Sequence, residues 1–426
     1  MSTSRIHRIH PAWFVAGVAF IALMGAAGFR AAPGPLMIPL NEEFGWPIST
    51  MSVAVSLNIL LYGLTAPFAA ALIGRFGIRA ITMTALGFIA AGSGLTVFAQ
   101  AEWILLVTWG LLIGLGTGSM ALVFAAEISG TWFVKRRGLV TGVLTAGSAT
   151  GQLIFLPLVA SLAENIGWRE ASLAIAATAL AVVPLVYFFI RNHPSDLGVD
   201  AYGAEPGTTP PRTQRTGAVQ LALTTLRDAA RTRTFWALAV AFAICGATTN
   251  GLVGVHFVPS AHDHGMSITT AAGLLVVVGV FDVVGTIASG WLTDRVNPRY
   301  LLVGYYLFRG IGLSFLPLLL DKDIHPSIVL FVVVYGLDWV ATVPPTIALC
   351  REFFGDRATI VFGWVFASHQ VGAAIAATAA GLVRDAMGTY TYAWIGGAAL
   401  CLVAAVFSYI VRGTSTANWV KVTTRG

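Results

Sequence analysis

Charge is scarce in this chain: 10% of its 426 residues are Asp, Glu, Lys or Arg, against about 25% in a soluble domain. A surface that meets water on every side cannot be built from so little. Cysteine is scarcer still, and Cys245, Cys350 and Cys401 stand isolated within apolar runs. That spacing disfavours cytochrome-like and iron–sulfur chemistry and leaves core packing as the reading. No phosphate-binding Gly-Lys-Ser/Thr loop and no His-Glu-x-x-His pair occurs, so neither ATP-driven transport nor zinc hydrolysis has its machinery, and enzyme function is not expected. Alternating segments of about ten residues, the mark of a membrane β-barrel, are also missing.

Apolar sequence is what the chain has in abundance, at 57% of residues and a mean hydropathy of +0.80. Glu102 and Glu127 bracket 24 uncharged residues, and Arg137 and Glu164 bracket 26; each run exceeds the roughly 20 needed to cross a bilayer as a helix. The spans fall at 12–33, 50–73, 80–99, 103–126, 138–162, 171–190, 235–258, 268–291, 300–320, 326–349, 358–381 and 390–411. The fold class predicted is an all-α polytopic membrane protein with twelve transmembrane helices. Arg5 and Arg8 precede the first run, but it continues past about twenty residues and eleven more spans follow, so it reads as a span and not a cleaved signal peptide. With this count one set of connections holds 20 of the 25 basic residues, among them Arg75, Arg79, Lys135, Arg136, Arg137, Arg295, Arg299, Arg351 and Arg357. The opposite set has only Arg169, Lys322 and Arg384. The positive-inside rule then places both termini in the cytoplasm. The net charge of +6 is explained by that basic rim without a nucleic-acid partner.

The second half of the chain echoes the first. Gly74-Arg75-Phe76-Gly77-Ile78-Arg79 in the second-to-third connection matches Asp294-Arg295-Val296-Asn297-Pro298-Arg299 in the eighth-to-ninth, and Phe133, Gly142 and Gly167 precede Phe354, Gly363 and Gly388 by 221 residues each. Agreement in two separate regions marks an internal repeat. It predicts an N-terminal six-helix bundle over 1–190, a cytoplasmic linker over 191–234 and a C-terminal bundle with its tail over 235–426. The linker carries Pro206–Gly207 and Pro210–Pro211, and Ala218 to Arg231 has the pattern of an amphipathic surface helix. Two parallel six-helix halves suit a carrier, because rocking one against the other exposes a central path to each side in turn. Gly110, Gly114, Gly116 and Gly118 in span four, and Gly142, Gly147 and Gly151 in span five, are spaced for close helix approach.

On these residues the chain resembles the major facilitator superfamily of secondary transporters. The pattern Gly-x3-Asp-Arg/Lys-x-Gly-x-Arg appears in part as Gly290-x3-Asp294-Arg295-x-Asn297-x-Arg299; in the first half Ala70 and Gly74 replace the Gly and Asp, while Arg75, Gly77 and Arg79 remain. The resemblance implies a gating role for Arg75, Arg79, Asp294, Arg295 and Arg299. Phe44-Gly45-Trp46, Trp132-Phe133-x2-Arg136-Arg137-Gly138, Gly167-Trp168-Arg169, Phe281-Asp282-x2-Gly285 and His369-Gln370-x-Gly372 look like the bacterial monocarboxylate or oxalate/formate transporter-like branch. In eukaryotic members an arginine four positions after the span-eight aspartate recognises a carboxylate; Thr286 stands there in this chain.

Charged groups inside spans must be paired, or solvated by a cavity. Arg30 in span one offers a guanidinium fork for a carboxylate, or serves as an interfacial anchor or partner of Glu42 or Glu43; Pro33, Gly34, Pro35 and Pro39 then break the helix and line the path, or end the span. Asp282 in span eight and Arg309 in span nine are read first as a fixed pair that a proton or anion could perturb. Asp338 lies about 18 Å along span ten, suited to proton or substrate coupling or to a static polar network, with Trp339 beside it and Pro344–Pro345 bending the helix. His369 and Gln370 in span eleven add hydrogen-bonding groups, with a neutral core histidine as the plain alternative. Asn58, Tyr62, Gln152, Thr248, Thr249 and Asn250 are neutral candidates, with interhelical hydrogen bonding as their alternative, and Asn58 and Tyr62 share a helical face. His262-Asp263-His264 lacks a fourth ligand in metal-site spacing, so no metal or other cofactor is expected. The function expected is secondary transport of a small organic anion, a mono- or dicarboxylate, coupled to protons through Asp282, Asp338 or His369, with the lipid bilayer as surroundings and no obligate protein partner. A drug or metabolite exporter and a non-transporting membrane sensor are the alternatives.

Overall fold

The computed structural model describes residues 10–120, 122–205 and 218–411. Arg5, Arg8, Arg212, Arg215, Arg412, Lys421 and Arg425 of the basic set, and Pro206–Gly207 and Pro210–Pro211, lie outside the described residues. Among those described the chain is nearly all helix. Ten helical runs are long and apolar enough to cross a membrane; Pro326–Met387 holds two of the expected spans, and the shorter Pro11–Ala27 completes the twelve. Their outward faces are apolar, with Leu318 80% and Ile287 71% exposed, which suits hydrocarbon and not water.

Spans one and ten break where the sequence withholds backbone donors. Span one runs Pro11–Ala27, tightens into a 3-10 turn at Phe29–Ala31 and resumes as Pro33–Phe44. Pro33 cannot donate to the Phe29 carbonyl, which accepts from Ala32 N–H at 2.9 Å instead. The run therefore extends well past the expected end at 33. Span two is Ile48–Phe76, span three Ile78–Thr96 and span four Trp103–Trp132, the last with a π-helical stretch at Leu106–Ile113. Span five is Arg137–Asn165 and span six Trp168–Phe189. Span seven, Arg233–Asp263, carries a second π-helical stretch at Ala247–Val253.

Span eight (Ile268–Thr293) and span nine (Pro298–Leu319) precede span ten, which is broken into Pro326–Asp338 and Val343–Phe354. Pro344 and Pro345 are the cause: without their N–H groups the Val340 and Ala341 carbonyls lose their helical partners. Val340 O accepts from Val343 N–H at 2.9 Å, and Ala341 O accepts from the Ser289 hydroxyl of span eight. Span eleven (Ala358–Met387) and span twelve (Thr391–Ile410) complete the second half. The expected surface helix is present as Ala218–Ala229, tied to span eleven by Trp364 Nε1 donating to Ala222 O at 3.0 Å and by Arg357 with Asp228 at 2.9 Å.

Close packing follows the small residues in most places. Gly114 and Gly118 of span four sit on the backbone of span two at Asn58, Leu61 and Tyr62, while Gly147 and Gly151 meet Phe20 and Met24 of span one. Gly142 is the exception, since nothing lies within 4 Å of the position its Cβ would take. Gly285 and Gly336 bring spans eight and ten together backbone to backbone, which matters for the site below.

The two halves meet along span two against span eleven, span five against span eight and the Pro33–Phe44 segment against span seven. All the hydrogen bonds between halves among the described residues lie from mid-depth toward one end: Ser56 Oγ donates to Ala374 O at 2.6 Å and pairs with Thr378 Oγ1 at 2.7 Å, Ser49 N donates to Asp385 Oδ2 at 2.8 Å, and Thr269 N donates to Glu164 Oε2 at 3.0 Å. Ser49 and Thr269 each begin a span, so a carboxylate from the opposite half caps each helix start. Glu164 and Asp385 are 221 residues apart and Ser49 and Thr269 are 220 apart, so the two caps are copies of one contact. The opposite, basic end, where Arg75, Arg79, Arg295 and Arg299 lie, has no hydrogen bond joining the halves among the described residues.

Candidate functional site

A cavity of about 200 Å³ lies between the halves. Its polar wall contains Arg30 from the break in span one, Asn58 and Tyr62 from span two, Gln152 from span five, Asn250 from the π-helical stretch of span seven, Asp282 from span eight and Gln370 from span eleven. Phe29, Ile59, Leu156, Val278 and Trp339 supply apolar area. An apolar cleft with a few converging polar groups is the usual form of a small-molecule site.

Arg30 donates from Nη1 to the Tyr62 hydroxyl at 3.1 Å, and its guanidinium carbon lies 4.2 Å from the centre of that ring. No carboxylate is within ion-pair distance of it among the described residues. The expected alternative, a pairing with Glu42 or Glu43, is overturned: Glu43 is held by Arg169 at 2.6 Å and by the Trp168 indole at 2.7 Å. Asn58 donates to the Trp109 carbonyl at 2.7 Å, so part of its amide is structural and the rest faces the cavity. The amides of Gln152, Asn250 and Gln370 have no protein partner among the described residues.

Asp282 stands on the other half from Arg30. Its Oδ1 accepts from Val340 N–H at 2.9 Å and from Thr286 Oγ1 at 3.1 Å, while Oδ2 has no partner among the described residues. The Val340 donor is free for this because span ten is broken there, and Gly285 and Gly336 allow the approach.

The pairing of Asp282 with Arg309 is corrected by the structure. Arg309 is 1% exposed and donates from Nε to Asp338 Oδ2 at 2.6 Å, from Nη2 to the carbonyls of Asp338 at 2.7 Å and Trp339 at 3.3 Å, and from Nη1 to Cys245 Sγ at 3.1 Å and Thr248 Oγ1 at 3.4 Å. It caps the carbonyl end of the broken helix and neutralises Asp338 at once. Asp338 and His369 lie behind the cavity wall and not on it. The His369 ring stacks on Phe366 at 5.7 Å and meets Phe242 at 5.0 Å. Thr248 and Thr249 turn their hydroxyls back to the carbonyls of span seven.

The five expected gating residues make no contact with the opposite half among the described residues. Arg75 lies over Phe76 and Arg79 over Tyr187, with Arg79 N–H donating to Asn192 Oδ1 at 3.2 Å. Asp294 caps the end of span eight, Arg295 donates to the Trp291 carbonyl at 3.0 Å, and Arg299 reaches Glu352 at 3.2 Å. In the His262-Asp263-His264 run, Asp263 is committed to Arg384 at 2.6 Å and the His264 ring to Ser260 O at 2.7 Å.

Sequence reasoning missed the two carboxylate caps, Ser56, and His256, whose ring nitrogens meet Ala377 O at 2.8 Å and the Tyr390 hydroxyl at 3.2 Å. The offset of the repeat would have found Glu164 and Asp385. His256 carries no such signal, standing alone in an apolar run.

Comparison with known proteins agrees with this architecture. The chain is 25% identical over 416 residues to the uncharacterized MFS-type transporter YcxA of Bacillus subtilis (strain 168), covering 94% of both chains. It is 27% identical to monocarboxylate transporter 13 of Bos taurus, covering 92% of this chain and 87% of that one, and 29% identical to monocarboxylate transporter 12-B of Danio rerio over 76% and 73%. Among solved structures it superposes on a bacterial homologue of the human lysosomal transporter Spinster, in an inward-facing and unoccupied conformation, with a TM-score of 0.74, 14% identity and 99% of both chains covered. A D-xylose–proton symporter gives a TM-score of 0.72 at 17% identity, over 95% of this chain and 98% of that one. The profile of the Major Facilitator Superfamily matches residues 19–377. With twelve spans in two halves around a largely apolar cavity that holds a few polar groups, the chain belongs to the Major Facilitator Superfamily and is a multi-pass membrane transporter, not an enzyme.

Proposed function

We propose that this transporter carries a small organic anion, a mono- or dicarboxylate, by alternating access with proton coupling, in a bacterial inner membrane with both termini cytoplasmic. The observation that carries the reading is Arg30, a cation at the cavity wall whose only partner among the described residues is a neutral tyrosine hydroxyl. A guanidinium left with free donors in a small, largely apolar cavity lacks a counter-ion, and a carboxylate fits its fork. The monocarboxylate transporters among the relatives support the same chemistry. In this reading 1–190 and 235–426 rock about the 191–234 connection, the end sealed by Ser49, Glu164, Thr269 and Asp385 faces outward, and the basic end faces the cytoplasm. Arg75, Arg79, Asp294, Arg295 and Arg299 would then engage across the halves when the basic end closes. Asp282, with one oxygen fixed and the other turned to the cavity, is the group for the proton; Asp338 is already neutralised by Arg309.

Reconstituted vesicles test the proposal. An inward proton gradient should accelerate uptake of a labelled monocarboxylate, and Arg30→Gln should raise KM at least tenfold in protein that still runs as a single species in detergent. Uptake indifferent to both changes would reject the anion reading and its coupling.

A further inference from the structure

The cavity's own charges point to a second class of substrate. Of its lining residues only Arg30 and Asp282 are charged, one on each half, and they form no ion pair with each other. Behind the wall, Arg309 and Asp338 neutralise one another at 2.6 Å, and the His369 ring is stacked on phenylalanines. The empty site is therefore balanced, with one positive and one negative group facing a shared space. A monocarboxylate on Arg30 leaves the occupied cavity one negative charge in excess, and a dicarboxylate leaves two. Charge left unpaired in a closed, low-dielectric site is costly, so a plain monocarboxylate needs an accompanying proton. A molecule that carries a cationic nitrogen at the end remote from its carboxylate needs none.

We infer that the cavity also accepts short carboxylic acids bearing such a nitrogen, with the carboxylate on the Arg30 guanidinium and the ammonium on the free Oδ2 of Asp282, and that these cross without a coupled proton. This rests on the carboxylate role of Arg30 proposed above. The ammonium is suited to Oδ2 because Oδ1 is already taken by Val340 N–H and the Thr286 hydroxyl, which hold the carboxylate with one oxygen directed at the cavity. A cavity of about 200 Å³ lies below the usual range of about 300–1,000 Å³ for small-molecule pockets, so the chain between the two groups must be short. A substrate held at both ends would bridge the halves, which a plain monocarboxylate on Arg30 does not do.

The test uses full-length protein in vesicles with three chain-matched probes: butyrate, 4-aminobutyrate and succinate. We expect 4-aminobutyrate to compete with labelled butyrate at a concentration at least tenfold below that of unlabelled butyrate, and succinate to be the weakest. Labelled 4-aminobutyrate uptake should be unchanged when the proton gradient is collapsed, whereas butyrate uptake should slow. Asp282→Asn keeps an oxygen for Val340 and Thr286 and removes only the charge; it should weaken 4-aminobutyrate at least tenfold, tighten butyrate binding because butyrate on Arg30 then leaves no excess negative charge, and abolish the proton response of butyrate. Asp282→Glu, which keeps the charge, should retain 4-aminobutyrate competition and guards against a folding defect. If butyrate is carried and 4-aminobutyrate neither competes nor crosses, this inference fails while the anion reading stands. If neither butyrate nor succinate binds, the anion reading fails; 4-aminobutyrate responding equally to both variants would also overturn the inference.

Discussion

Arg309 spends all of its donors inside the protein. Five hydrogen bonds tie it to Asp338, Trp339, Cys245 and Thr248, so its removal strands Asp338 as a buried charge. Arg309→Met should destabilise the detergent-solubilised protein by about 3–5 kcal/mol, read as a lowered midpoint of thermal unfolding, and Arg309→Met with Asp338→Leu should recover most of the loss. A double variant no better than the single would show that the backbone carbonyls, not the charge on Asp338, are what Arg309 serves. The sequence marks both residues as needing partners. It does not say which, because Asp282, Arg309 and Asp338 all stand at middle depth, and the choice depends on where span ten breaks and turns its carbonyls. Arg30 was legible as a cation near a proline-rich break; that Tyr62, and no acid, would meet it was a matter of register between spans one and two.

Helix breaks do more in this fold than bend a span. Pro344 and Pro345 take the Val340 and Ala341 carbonyls out of the helical ladder, and within the break they open Val340 N–H meets Asp282 and the carbonyls of Asp338 and Trp339 meet Arg309, so one interruption serves both the cavity carboxylate and the buried cation. Replacing both prolines with alanine restores two helical donors and should draw span ten toward a continuous helix. Its expected signature is a turnover at least tenfold lower with a melting temperature unchanged or raised, measured on the same vesicle and detergent preparations. A lowered melting temperature with turnover intact would contradict it. Apolar length made the spans readable, since a bilayer fixes how long a helix must be. The π-helical stretches at Leu106–Ile113 and Ala247–Val253 left no comparable mark, because they change the hydrogen-bond partner and not the hydrophobicity.

Across the whole molecule the seal at one end rests on the carboxylates of Glu164 and Asp385, each capping a helix start in the other half. Loss of a cap costs about 0.5–2 kcal/mol, so Glu164→Ala with Asp385→Ala should shift the population toward opening at that end by a factor of about five or more. With Leu156→Cys as a reporter in the cavity, and Cys245, Cys350 and Cys401 all buried, a membrane-impermeant thiol reagent added from the Ser49 side should label faster in the double variant. An unchanged labelling rate would mean that span two against span eleven closes this end without the caps. The duplication was visible in the sequence at Phe133, Gly167 and their counterparts, where a buried phenylalanine and a positive-φ glycine recur. At Glu164 and Asp385 the repeat keeps the acid but not the residue, so only the shared 221-residue offset, and not identity, marks the pair. Each half gives one acid and one helix-start N–H and receives the same in return, which is the reciprocity of an isologous dimer. Two copies of a single six-span ancestor could have docked through that same contact, so this closure does not depend on the halves having diverged.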